Sequence, residues 1–157
     1  MGAPALVLAI LVASGPSCTP PARPADTILD WLANAPVRSA LDHLFARAQY
    51  GLAPYERAAW IVRGRGGDVA LRDWGFSGAV DRAAWRGPAP KGALAIVHTH
   101  SDRADPRPSS GDAALARRLG LPVYTLSRRG VWVARTDGTI LLEAPAPRAC
   151  GRIACLP

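Results

Sequence analysis

Two histidines two residues apart, His98 and His100, close the apolar run "ALAIVHTH", and Ser109 and Asp112 follow after an eight-residue loop. On a β-strand, residues i and i+2 point to the same face, roughly 7 Å apart. Both imidazoles can therefore converge on one ion above that face. Asp112 falls in the first turn of the helix that follows, where the chain folds back over the strand end. Two histidines and one carboxylate leave a tetrahedral zinc one open position for water, the coordination of a catalytic rather than a structural site. Zinc lowers the pKa of such a water toward ~7, and a further carboxylate then serves to take its proton and deliver it to a leaving amine. The chain has two glutamates, Glu56 and Glu143, and Glu56 opens a strand that can lie near the one ending at His100. The Ser109 hydroxyl can cap the helix and also donate to a developing oxyanion.

Each of these residues has a plainer reading. His98 and His100 alone are a polar strand terminus without metal. Ser109 with Asp112 three residues later is a capping box, structural in most proteins. Glu56 alone is an ordinary surface carboxylate. The conjunction favours chemistry, because four residue types appear in an order that builds one site.

The surrounding elements are readable from period and punctuation. Asp26 can cap a helix over "TILDWLANA", which Pro36 interrupts. From about Val37 to Tyr50, apolar Val37, Leu41, Leu44, Phe45 and Ala48 recur at three- and four-residue spacing and predict a second helix, ended by Gly51 and Pro54. His43 belongs on its surface. "YERAAWIVRG" predicts a strand with Glu56, Ala58, Trp60 and Val62 on one face, turned by "RGGD" into "VALRDW" as a hairpin. "SGAVDRAAWRG" is a short irregular or helical piece. "ALAIVHTH" is a continuous apolar run, which predicts a buried strand. Ser109 as N-cap, Asp112 at N3 and Gly120 as a stop mark the ends of the helix in "SSGDAALARRLG". "LPVYTL", "GVWVAR" and "TILLE" predict three further short strands. The expected class is α/β or α+β, with a single mixed β-sheet flanked by helices.

H-x-H followed by S-x-x-D, with an upstream glutamate on an earlier strand, resembles the JAMM motif of JAB/MPN-domain zinc metalloproteases. The likeness is to bacterial JAB-like domains, in which "HTH", a loop, "S-x-x-D", a helix and "G-x-P-x-Y-x-x-x-x-x-G-x-x-W" follow in order. Here the corresponding pieces are "HTH", "SSGD", "AALARRLG" and "LPVYTLSRRGVW", spanning about Glu56 to Leu142. The resemblance implies a cytidine-deaminase-like JAB/MPN architecture over residues 26–145. It implies that His98, His100 and Asp112 bind Zn2+, that Glu56 is the general acid/base, and that Ser109 stabilises the oxyanion. Ser101 stands where the family usually has proline. A catalytically silent binding module on the same fold is the alternative.

Two other hydrolase classes fit less well. "HTHSD" also resembles the opening motif of PHP-type metallophosphoesterases, but those sites gather several more histidines from later strands. This chain has three in all, with none after His100. A Ser-His-Asp hydrolase lacks its G-x-S-x-G elbow.

Length and composition bound the rest. A chain of 157 residues with 49% hydrophobic and 20% charged residues describes one folded domain. The net charge of +7 comes from scattered arginines, with Lys91 the only lysine. A nucleic-acid binder shows a denser basic stripe interleaved with aromatics, so nucleic acid is not the expected partner; a protein or peptide substrate is. "APALVLAILVASG" has the length of a signal peptide, too short for a permanent span. Residues 1–17 are the expected signal, Cys18 falls where a bacterial lipoprotein would carry its acylated cysteine, which resembles a lipobox without its usual leucine, and the proline-rich 18–25 is the expected tether. Export to the periplasm or to a lipid-anchored position in the envelope follows, with membrane contact only through Cys18. Such a compartment permits a disulfide between Cys150 and Cys155 in the tail 146–157.

Overall fold

The computed structural model describes residues 27–76, 80 and 83–145. The expected signal segment, Cys18, the tether and Asp26 lie outside the described residues, as does the tail with Cys150 and Cys155. No helix among the described residues is long and apolar enough to cross a membrane.

Helix α1 (Ile28–Ala33) is capped by Thr27, not Asp26. The Thr27 hydroxyl accepts the Asp30 backbone N–H, and the Asp30 carboxylate accepts the Thr27 N–H at 2.8 Å. Only a residue three before Asp30 can close that reciprocal pair. Asn34 then caps α2 (Ala35–Arg47), so Pro36 sits in the first turn and starts this helix instead of interrupting the previous one. Helix α2 also stops before Tyr50. Gln49 and Tyr50 take positive φ in a tight 3-10 turn (Gln49–Gly51) that redirects the chain.

Among the described residues, six strands follow: β1 (Ala58–Arg63), β2 (Val69–Asp73), β3 (Ala93–Thr99), β4 (Val123–Ser127), β5 (Gly130–Ala134) and β6 (Ile140–Pro145), with helix α3 (Ser110–Leu119) between β3 and β4. Strand β1 is shorter than its sequence suggests and leaves Glu56 in its extended lead-in. The strands form one mixed sheet in the order β2-β1-β3-β4-β5-β6. Only β3 and β4 run parallel, because α3 carries the chain back across the sheet between them. All other pairs are antiparallel. The fold is thus α+β, a mixed sheet with helices on both faces.

The alternating register divides the core in two. Ile28, Trp31, Leu41, Leu44 and Phe45 of the first two helices bury Ala59, Ile61, Val97, Tyr124, Leu126 and Val133 of one sheet face. On the other face, Ala113 and Ala116 of α3 pack on Trp60, Ile96, Val123 and Ala134. The small residues of α3 bring its axis close to β3, and Gly120 at φ 64° ends the helix in the left-handed conformation. The α3 face carries Ile96, and by the two-residue period it carries His98 and His100 as well.

Candidate metal centre

The carboxyl end of β3 is pinned from both sides. Thr99 donates its N–H to the Arg57 carbonyl at 2.9 Å, and its hydroxyl accepts the Arg57 N–H at 3.0 Å. His100 donates its N–H to the Leu126 carbonyl at 2.9 Å. These bonds hold the lead-in to β1, and with it Glu56, beside the histidines. Gly51 lies against the same strand end: at φ +83°, a Cβ there would stand 3.1 Å from the His100 carbonyl oxygen.

His98 and His100 are each 7% exposed, and their rings meet edge to face with centroids 4.8 Å apart. Glu56, His98 and His100 each offer one ligand atom, all within 4.8 Å of one another, a group that could hold a metal ion. The Glu56 carboxylate reaches both rings, with Oε2 3.4 Å from His98 Nδ1 and Oε1 3.7 Å from His100 Nε2. Asp112 comes to His98 from the other side, its Oδ1 3.4 Å from Nε2. Its Oδ2 accepts both the N–H and the hydroxyl of Ser109, each at 2.7 Å. The capping box thus occupies one carboxylate oxygen and leaves the other facing the imidazole.

The nitrogens are in states that suit a cation. His98 Nε2 is buried without a hydrogen-bond partner, a cost that a bound ion would remove. His100 Nδ1 lies 2.6 Å from the Asp105 carbonyl oxygen. That carbonyl can only accept, so the proton sits on Nδ1 and the Nε2 lone pair is free, the second partner that metal-bound histidines usually have. Burial, then the neighbouring charge of His98, push the His100 pKa down and favour its neutral, ligating form. Burial acts the same way on His98, but the hydrogen bond to Glu56 and the charges of Asp112 and Glu56 outweigh it and raise the pKa.

These groups line a cleft of about 260 Å³ with Trp74, Ala83, Ile96, Ser109 and Leu115. A second hollow of about 600 Å³ opens past His100 and Ser109, between the 104–110 segment and Trp132. All five residues singled out in the sequence therefore line one cleft, but the group whose ligand atoms lie within reach of one ion is Glu56, His98 and His100, with Asp112 beside His98, and not the expected His98, His100 and Asp112. His43, by contrast, is exposed on α2. No residue pattern points to the Asp105 carbonyl, because a main-chain acceptor has no residue-type signature. Nor did it reveal Thr125, whose buried hydroxyl donates to the Pro106 carbonyl at 2.7 Å and ties the same loop to β4.

No family model, curated protein or solved structure matches this chain.

Proposed function

We propose that this chain is a zinc-dependent hydrolase of peptide or isopeptide bonds, with a JAMM-type site on a JAB/MPN-like fold. The observation that carries the reading is the meeting of Glu56, His98, His100 and Asp112 at one cleft, with His98 Nε2 buried beside Asp112 and without a hydrogen bond. The donor set fits zinc, with two imidazoles and a carboxylate oxygen leaving room for water and substrate. His98, His100 and Asp112 would hold the ion, and zinc bound there would supply Lewis acidity toward a carbonyl and an acidified water.

The chain's own residues do the rest. The Asp105 carbonyl keeps His100 in the ligating tautomer, and the α3 cap keeps Asp112 Oδ1 turned to His98. Glu56, 12% exposed at its side chain, takes the proton of the attacking water and returns it to the leaving amine. Ser109, on the cleft wall, donates to the carbonyl oxygen as negative charge builds there. Its hydroxyl must leave Asp112 Oδ2 to do so.

That last requirement favours a second reading: a JAB-fold binding module in which the site is loaded but silent. In either case we place the protein in the cell envelope, exported by residues 1–17 and anchored, if lipidated, at Cys18. A panel of short peptides and ε-linked isopeptides separates the two. The hydrolase reading predicts zinc-dependent cleavage that Glu56→Ala lowers by ~10²-fold or more while zinc is retained. Stoichiometric zinc with no cleavage of any member would give the lead to the module. Loss of zinc in Glu56→Ala would make Glu56 a ligand instead of the proton carrier.

A further inference from the structure

We propose that the tryptophan-walled groove beside the metal cleft is a specificity subsite for a bulky apolar side chain of the substrate, one or two residues from the scissile bond. The proposal rests on the hydrolase reading for its scissile bond, but the groove itself can be tested without turnover.

The groove measures about 280 Å³ and is walled by Trp60, Trp74, Trp85 and Leu119. It shares Trp74, Ala83, Ile96 and Leu115 with the metal cleft, so the two spaces adjoin. Its distance from the metal position follows from the elements that line both. Ile96 is two residues before His98 on β3, roughly 7 Å away. Along α3, Leu115 and Leu119 lie about 4.5 and 10 Å beyond Asp112. An extended peptide advances ~3.3–3.6 Å per residue, so a carbonyl at the histidines brings a neighbouring side chain over the groove.

Its walls are preformed. Trp60 and Trp74 pack at 5.5 Å, and Trp85 closes on both at 6.0 Å. The Trp85 indole N–H donates to the Pro88 carbonyl at 3.0 Å, and the Arg72 guanidinium covers its ring at 5.4 Å. The only charged lining residue among those described is Arg118, exposed at the end away from the metal and in no ion pair with a described residue. A polar side chain that reaches neither Arg118 nor the buried, unpartnered indole N–H groups of Trp60 and Trp74 would lose its water uncompensated. A large apolar one would gain ~1.5–3 kcal/mol from burial, which is roughly a 10–100-fold preference over glycine. The cationic rim further suits a peptide that carries carboxylates beyond the apolar residue.

The test uses two peptide series varied as Phe, Leu, Ala and Gly on either side of the scissile bond. N-acetylphenylalaninamide and N-acetylglycinamide serve as binding probes, followed by tryptophan fluorescence on the wild type and on His98→Ala/His100→Ala. Ala89→Phe fills the groove from its exposed rim without touching the metal cleft. We expect kcat/KM to rise about 10–100-fold from Gly to Phe in one series, and Ala89→Phe to erase that preference while Gly peptides and zinc content stay unchanged. The phenylalanine probe should shift the fluorescence of wild type and double variant alike, the glycine probe should not, and Ala89→Phe should abolish the shift. Equal rates across both series, or a probe signal untouched by Ala89→Phe, would overturn the subsite. Probe binding that Ala89→Phe abolishes, without cleavage of any peptide, would uphold the subsite and sink the hydrolase.

Discussion

Asp112 divides two tasks between its two oxygens. Oδ2 closes the α3 capping box with Ser109, and Oδ1 faces His98 Nε2. Substitutions at the two residues of the box should therefore separate. Ser109→Ala and Asp112→Ala each remove part of one cap and should each lower stability by about 1 kcal/mol in urea melts. Only Asp112→Ala should also weaken zinc binding, read by competition with a chromophoric chelator. Equal affinity loss in both would mean that the cap geometry, and not the carboxylate, is what the metal senses. The box was legible in the sequence because its spacing is local. Which oxygen faces the cleft was not, since it depends on how α3 lies across β3.

The elements place these side chains through main-chain contacts that composition does not record. The strand ending at His100 was legible as an apolar run, and the period of two put both histidines on one face. Of its two neighbours, the strand led by Glu56 was anticipated and β4 was not, because strand pairing is decided by residues far apart in the chain. Local signals also competed: Asp26 and Thr27 are both good caps, and only Asp30 three residues after Thr27 decides between them. Gly51 is the point where the α2 side of the molecule touches the site, at positive φ and close to the His100 carbonyl. Gly51→Ala should cost ~1–2 kcal/mol from the left-handed backbone and, by displacing the strand end, should lower zinc affinity as well. Unfolding and zinc titration on one preparation test this; a loss of stability with unchanged affinity would uncouple the turn from the site.

At the scale of the molecule, the sheet keeps two packing layers apart, and the site sits on the thinner, α3 side. The thicker side is assigned the bulk of the stability. Leu41→Ala, fully buried there, should cost roughly 2–5 kcal/mol without changing zinc stoichiometry at temperatures where the variant is folded. Tyr124, in the same layer, stacks edge-on against Trp31 at 5.7 Å. Burial first, and the Glu143 charge second, push its hydroxyl up to about 12, against ~10 in an unfolded chain. The unfolded state loses that proton first, so the stability Tyr124 contributes is intact below pH ~10 and is lost as pH rises toward 12. Tyr124→Phe should flatten that alkaline decline in chemical melts, and an unchanged slope would remove Tyr124 as its source. The class of the fold could be read from the sequence because helix and strand periods are strong here. The two-layer division of the core could not, because it follows from the strand order. The most direct check of the whole account is the zinc content of the folded domain, purified without chelators, beside His98→Ala/His100→Ala. The account predicts about one zinc per chain in the wild type and none in the double variant. A folded wild type that stays empty after zinc is added back, or a double variant that binds as much, would contradict it.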